Sequence, residues 1–245
     1  MSRSAIITGG TGSIGSAVAH RLLSQGLNVA IIGSNKKSIE ESKKIFRDHN
    51  QFCTFWICDL RNFESINLCI NKINKEVGYI DVLVNCAGIL EIEDPEELSE
   101  EIWDRVIDVN LKSYFFVIQS CLPFLKKSKH PRIVNISSNA GRMGGYANGT
   151  AYAASKGGVI SLTYNLARKL AKFGITVNCV APGTVETEMI RQISISEKEK
   201  LLDKFPLGRF GTVNEVASAV SYFVMEESAF TTGSVLDVNG GLFTG

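Results

Sequence analysis

Three features of the 245-residue chain predict an α/β fold, a single doubly wound parallel sheet of about seven strands with helices on both faces. Short, β-branched apolar runs alternate with amphipathic segments from one end to the other, the pattern of buried parallel strands joined by crossover helices. A glycine-rich turn, Thr8-Gly-Gly-Thr-Gly-Ser-Ile-Gly15, lies between the first run and the first helical pattern. No linker, repeat or low-complexity stretch interrupts the alternation, so residues 1–245 read as one domain.

The first strand is expected at Ala5–Thr8, and the helix at 14–25 opens on the glycine turn. Asn28–Ile32 and a helix over 36–48 form the next unit, followed by Phe52–Ile57 with 63–76 and Asp81–Val84 with a long helix over 98–126. Arg132–Ser137 precedes a helix at 151–172, Ile175–Val180 precedes one at 213–225, and Val235–Val238 closes the sheet. Each run is short and bounded by turn residues, which separates strands from buried helices. Two stretches, 139–150 and 183–205, show no clear period. Both follow strands at their C-terminal ends, where open α/β sheets bind ligands.

Composition narrows the function. A net charge of +1 and a pI near 7.6 give no basic footprint for nucleic acid or an anionic membrane. Six cysteines are scattered without a Cys-x-x-Cys pair, and the three histidines have no partner at metal-ligand spacing. The reading is buried free thiols in a reducing compartment. The chain enters a strand at once, leaving no room for a signal peptide, and no apolar run is long enough to span a bilayer. A cytoplasmic, metal-free protein is expected.

The chemistry sits in a few segments. The turn holds Gly10-x-Gly12-x-x-Gly15, a tight bend that lets backbone approach a pyrophosphate at a helix N-terminus. This marks a Rossmann-type dinucleotide site, with Gly9, Thr11, Gly12, Ser13, Ile14 and Gly15 as its contacts. The second strand ends Ile32-Gly33-Ser34-Asn35-Lys36-Lys37, without the carboxylate that would bind a ribose 2′-OH. Ser34, Asn35 and Lys36 suit a 2′-phosphate, so NADP(H) is favoured, with NAD(H) open. Asp59 either accepts from an adenine amino group or caps a helix beginning near Arg61. Tyr152 and Lys156 stand four apart on one helical face, where an ammonium favours the phenolate and lowers its pKa. That pair makes a proton donor and acceptor for alcohol–ketone interconversion.

Taken together, the glycine turn, Cys58-Asp59-Leu60, Asn85-Cys-Ala-Gly88, Val109-Asn110-Leu111, Asn135-Ile-Ser-Ser138, Tyr152-x-x-x-Lys156, Pro182-Gly183-Thr184-Val185-x-Thr187 and Val238-Asn-Gly-Gly241 resemble the short-chain dehydrogenase/reductase family over nearly the whole chain. The length fits its compact subfamily, although the glycine spacing is that of the extended one. Pro206-Leu-Gly-Arg-Phe-Gly211 and the Asn-Gly-Gly ending resemble its 3-oxoacyl-carrier-protein reductase and glucose-dehydrogenase-like branch. The resemblance implies an oxidoreductase interconverting a carbonyl and a secondary alcohol. Ser138 would bind the substrate oxygen, with Ser137 its buried neighbour, and Tyr152 would transfer the proton. Lys156 would lower the phenol's pKa and hold the nicotinamide ribose, and Asn110 would anchor a water leading from Lys156. Asp59 and Leu60 would line the adenine, and Asn85, Ala87 and Gly88 the adenosine ribose. Pro182, Gly183, Val185 and Thr187 would line the nicotinamide. Met143, Tyr146, Met189 and Ile190 are candidate substrate walls, and Arg142 could meet an anion.

A small-molecule or acyl-thioester substrate is expected. Lys126, Lys127 and Lys129, with Lys172 beside Phe173, are candidates for a carrier-protein patch near the active-site mouth. Apolar residues on several faces of 98–126 and 151–172, among them Tyr114, Phe115, Phe116, Val117 and Ile118, imply a homotetramer. The alternative use of the same motifs is a nucleotide-sensing regulator without turnover. The complete Ser138–Tyr152–Lys156 set argues against it.

Overall fold

A computed structural model describes residues 3–49, 51–145, 149–187 and 194–245, with backbone alone at 195–197. Seven strands form one parallel sheet: β1 Ser4–Thr8, β2 Asn28–Gly33, β3 Cys53–Ile57, β4 Val82–Asn85, β5 Arg132–Ile136, β6 Thr176–Pro182 and β7 Val235–Val238. Their order is β3-β2-β1-β4-β5-β6-β7. The chain leaves β1 toward β2 on one side and returns to β4 on the other. This reversal opens a crevice at the C-terminal ends of β1 and β4, where Thr8 and Asn85 are in register.

Nine α-helices flank the sheet among the described residues: α1 Ser13–Ser24, α2 Lys36–Ile45, α3 Phe63–Val77, α4 Glu100–Ile107, α5 Ser113–Leu125, α6 Ala140–Met143, α7 Thr150–Leu170, α8 Ile195–Leu202 and α9 Val213–Val224. Val18, Leu22, Val216, Val220 and Phe223 of α1 and α9 pack on one face, against Ile7, Ile31 and Val84. On the other face Ile66, Ile70, Val117, Cys121, Leu166 and Leu170 of α3, α5 and α7 meet Ile6, Leu83, Ile133 and Val177. Successive strand residues thus feed opposite layers, which is why the strands read as continuous apolar runs.

Three differences from the sequence reading bear on the site. The helix expected over 98–126 is interrupted by a π-helical turn, Asp108–Lys112, between α4 and α5. The two aperiodic stretches each contain a helix, α6 in the first and α8 in the second. The segment Tyr114–Ile118 is not uniformly outward: Tyr114, Val117 and Ile118 are buried, and Phe115 is exposed.

Candidate active site

The glycine turn is built by contacts that exclude side chains. Gly9 has φ +63°, and a Cβ there would lie 2.6 Å from the Ala87 Cα. A Cβ on Gly15 would lie 2.3 Å from the Gly9 carbonyl oxygen, so α1 closes directly onto the turn. The first turn of α1 begins at Ser13, and its N-cap, Gly12, offers no side-chain acceptor. The backbone N–H groups at Ser13, Ile14 and Gly15 therefore keep their hydrogen-bonding capacity for an anion. Thr8 Oγ1 accepts from Cys86 N at 3.1 Å and Ala87 N at 3.3 Å, locking the β4 loop beside the turn. This cradle fits a dinucleotide pyrophosphate.

At the end of β2, Asn35 caps α2 by accepting from Ser38 N at 2.9 Å and donates to Ser34 Oγ at 3.2 Å. Lys36 and Lys37 are exposed in the first turn of α2. Asp59 does not cap a helix. Its carboxylate grips Arg61 through both Nε and Nη2 at 3.0 Å, and α3 is capped instead by Asn62, which accepts from Ser65 N. The Arg61 hydrogen bond holds Asp59 below the ordinary carboxylate range, so it meets any adenine as an anion. Leu60 packs half-buried against the α3 side of the core.

Asn85 lies at the end of β4. Its side chain is fully buried and donates to Asn135 Oδ1 at 3.0 Å, while Asn135 donates to Thr163 Oγ1. It ties β4 to β5 and α7, and its Oδ1 has no hydrogen-bond partner among the described residues. Asn110 sits in the π turn, where the widened helix directs its carboxamide across to the β4 loop. It accepts from Ile89 N at 2.8 Å and donates to Ile89 O and to Ser155 Oγ. A Cβ on Gly88 would lie 3.4 Å from both Asn110 Oδ1 and Lys156 Nζ, so Gly88 marks where the two side chains converge.

Ser138, Tyr152 and Lys156 come together at the C-terminal end of β5. Ser138 follows the strand, accepts from Ala140 N at 3.1 Å and donates to Asn139 Oδ1 at 3.1 Å, and its hydroxyl lies where it favours the Tyr152 phenolate. Ser137 turns inward and donates to Lys156 O at 2.8 Å. Gly141 allows this proximity, because a Cβ there would lie 2.5 Å from the Lys156 carbonyl carbon. Lys156 is buried and donates to Ile136 O at 3.0 Å. Its Nζ lies 5.7 Å from the Tyr152 ring centre and 5.6 Å from that of Tyr114.

The electrostatics correct one expectation. Burial pushes the Tyr152 phenol above its ordinary range, opposed in part by the Ser138 hydrogen bond. Burial also pushes Lys156 down to about 8. In this arrangement desolvation outweighs the Ser138 interaction, and Tyr152 rests as a proton donor.

The far wall comes from β6. Asn139 N donates to Pro182 O at 2.8 Å, and Gly183 approaches Asn239 closely enough that a Cβ would lie 3.0 Å from its Cα. Val185 bridges to Gly211 through Thr184 O and Glu186 N, leaving its own N–H and C=O directed the opposite way. Thr187 is half-buried just beyond. Arg142 does not await an anion: it pairs with Asp237 at 3.3 Å, donates to Gly245 O and lies over Phe243. Met143 is half-buried on α6, whereas Tyr146, Met189 and Ile190 lie outside the described residues.

Two residues escaped the sequence reading. Tyr114, hidden in an apolar run, is fully buried and donates to Ala87 O at 2.9 Å and Ile136 O at 3.1 Å. One of these carbonyls, Ile136 O, also accepts from Lys156 Nζ. Glu91 is buried at the start of α7, and its Oε2 accepts from Tyr152 N at 3.2 Å. Neither carries a local sequence signal.

The lysine patch lies elsewhere than expected. Lys126 Nζ is 4.0 Å and Lys172 Nζ 5.2 Å from the Phe173 ring centre, both within cation–π range. These residues precede β5 and β6, whereas Tyr152 follows β5. The 21-residue α7 separates them by about 30 Å at 1.5 Å per residue. Within one chain the patch and the active-site mouth are at opposite ends of the sheet.

A nucleotide cradle at the switch point, beside a buried lysine and a tyrosine with a serine at hand, defines a nicotinamide-dependent oxidoreductase. The family model for short chain dehydrogenases matches residues 3–198, and the chain belongs to that family. It is 37% identical over 251 residues to a 3-oxoacyl-acyl-carrier-protein reductase FabG of Staphylococcus aureus, covering 99% of each. It is 36% identical to the Rickettsia felis protein of that name and 35% to the Escherichia coli one, each over 98% of this chain and 96% of the relative. The solved structure of gox2181 superposes with a TM-score of 0.93 at 29% identity, covering 98% of this chain and 95% of that one. Among the described residues, no helix is long and apolar enough to cross a membrane, and no cluster of three metal-ligating side chains occurs.

Proposed function

We propose that the chain is an NADPH-dependent reductase of 3-oxoacyl thioesters, working as a single cytoplasmic catalytic domain over residues 1–245. The observation that carries the reading is the convergence of Ser138, Tyr152 and Lys156 beside the glycine turn. The bound nicotinamide would supply the hydride. Tyr152, held protonated by burial, gives its phenolic proton to the carbonyl oxygen, and Ser138 Oγ donates to the oxyanion as charge develops. Lys156, protonated below about pH 8, steadies the phenolate left behind and orients the ribose. Asn110 fixes the Gly88–Ile89 backbone beside that lysine and supplies the polar step from it toward solvent.

NADPH preference is supported by Lys36 and Lys37 at the N-terminus of α2. Cations there oppose the helix dipole and cost the helix stability, which a 2′-phosphate would offset. A carrier protein docked at Lys126 and Lys172 could not present its acyl chain to the Tyr152 of the same chain. Docking there therefore requires a second copy's mouth nearby, in keeping with a tetramer. Fully exposed Phe230, with Phe115 and Trp103, provides apolar surface for such contacts.

The test follows absorbance at 340 nm with NADPH and a panel containing acetoacetyl thioesters and simple ketones. The thioester should show the highest kcat/KM. Cofactor binding with no oxidation of NADPH by any member would overturn the proposal in favour of a sensor, and light scattering giving a 26.7 kDa species alone would remove the tetramer.

A further inference from the structure

The N-terminus of α7 carries the proton donor yet lacks a cap of its own, because Gly149 offers no side-chain acceptor. The missing acceptor comes from 58 residues upstream. Glu91 O accepts from Gly149 N at 2.8 Å, and Glu91 Oε2 accepts from Tyr152 N at 3.2 Å. The side chain is 4% exposed, and among the described residues its second oxygen, Oε1, has no hydrogen-bond partner. That oxygen fills the space a side chain at 149 would need: a Cβ on Gly149 would lie 1.6 Å from it. Glycine at 149 and glutamate at 91 are therefore complementary, one supplying the void and the other the charge.

A buried carboxylate with one oxygen unmatched is costly unless fixed positive potential opposes it. Here the free N–H groups and dipole of a 21-residue helix supply that potential. The same loop reaches the second side of the site, since Asn110 grips Ile89 N and O two residues earlier. Residues 88–91 thus join the π turn to the backbone of Tyr152.

We propose that Glu91 is a positioning residue for proton transfer. It caps α7 from a distant segment of the same chain and sets the height of Tyr152 relative to Ser138, without touching substrate. The proposal rests on the reductase reading for its kinetic arm and on geometry alone for its second arm.

In the full-length protein, Glu91→Ala should lower kcat by about tenfold to a hundredfold, the scale of loss for a displacement near 1 Å. The dissociation constant for NADPH should stay within about twofold. Glu91→Gln keeps an acceptor oxygen for Tyr152 N and should retain at least about a third of wild-type kcat. Gly149→Ala, which evicts the carboxylate, should reproduce the loss and add little to Glu91→Ala, because both remove one interaction. Hydrogen–deuterium exchange forms the second arm. Amides at 150–153 should exchange about tenfold faster in Glu91→Ala, while those of 160–166 stay unchanged. Wild-type kcat in Glu91→Ala, a Gln variant as impaired as Ala, or additive losses with Gly149→Ala would each overturn the proposal. If wild type reduces no carbonyl, the reductase reading fails. Unchanged exchange at 150–153 would then still overturn the cap, and accelerated exchange would uphold it.

Discussion

Replacing Gly141 with alanine should damage catalysis far more than its one added methyl group implies. The new Cβ would lie 2.5 Å from the Lys156 carbonyl carbon, 2.6 Å from its oxygen and 2.8 Å from Gly157 N, all backbone atoms that cannot rotate away. Reaching the 3.4 Å of ordinary van der Waals contact requires α6 and α7 to separate by about 0.9 Å. Gly141 N bonds Ser138 O at 3.0 Å, so Ser138 moves with the α6 side while Tyr152 and Lys156 move with the other. A displacement of that size costs about a hundredfold in rate when it falls between reacting groups. Overpacking should also cost about 1–3 kcal/mol of stability, lowering Tm by about 2–12 °C for a chain of this size. Gly157 supplies the internal control, because a Cβ there meets nothing nearer than the Gly141 oxygen at 3.6 Å. Gly157→Ala should keep full activity and gain up to about 1 kcal/mol from helix propensity. The assay is steady-state reduction with paired thermal melts. Gly141→Ala within threefold of wild-type kcat, or Gly157→Ala as impaired as Gly141→Ala, would refute the close-approach reasoning.

Tyr152→Phe should lose at least two orders of magnitude in kcat with NADPH affinity unchanged, whereas Lys156→Ala should weaken cofactor binding as well; fluorescence titration beside kinetics separates the two. NADPH should bind about fivefold to thirtyfold more tightly than NADH, from exposed contacts of up to about 1 kcal/mol each at Lys36 and Lys37. That preference should shrink with salt and vanish in Lys36→Ala/Lys37→Ala. Ser34→Asp is the variant to reverse it, since a side chain at Gly33 would collide with Thr11 Cγ2 at 2.7 Å. The reduction rate should be flat from about pH 6 to 7.5 and decline as Lys156 loses its proton through about 8, with Tyr152 still protonated. A profile flat to pH 9.5 would contradict this. Because the folded pKa of Lys156 lies below its unfolded 10.5, its burial disfavours folding below about pH 8, and that penalty is relieved as pH rises toward 10.5. Thr212→Ala, which breaks the capping box with Glu215 at the start of α9, should cost about 1 kcal/mol in denaturant melts without affecting kcat.

All seven strands were legible because their signal is local: Val82–Asn85 and Thr176–Pro182 are short, mostly apolar runs, buried at every position and bounded by turns. The glycine turn was legible for a related reason, since its backbone demands leave few residue types possible. What escaped depends on where distant segments meet. Glu91 looks like any acid in an acidic loop, and only the approach of Gly149 gives it a role. Tyr114 reads as part of a greasy helix face until the fold brings two carbonyls to its hydroxyl. Asp59 was ambiguous between adenine and a cap, and Arg61, two residues away, decided against the cap. The phenol's acidity was misjudged because helical spacing reports proximity to Lys156 but carries no measure of burial.

The π turn at Asp108–Lys112 makes one functional position separable from the fold that carries it. A π bulge is a single extra residue accommodated within a helix, with the segments on either side keeping their faces. Removing one residue between 108 and 112 would let the turn relax to α geometry, leaving α4 and α5 seated as they are. The carboxamide that holds Ile89 would be lost from its place by the same event. A one-codon deletion could thus turn such a chain into a well-folded nucleotide binder with an impaired proton path. An inactive descendant of this enzyme would betray its history by a helix one residue shorter, with its serine, tyrosine and lysine intact.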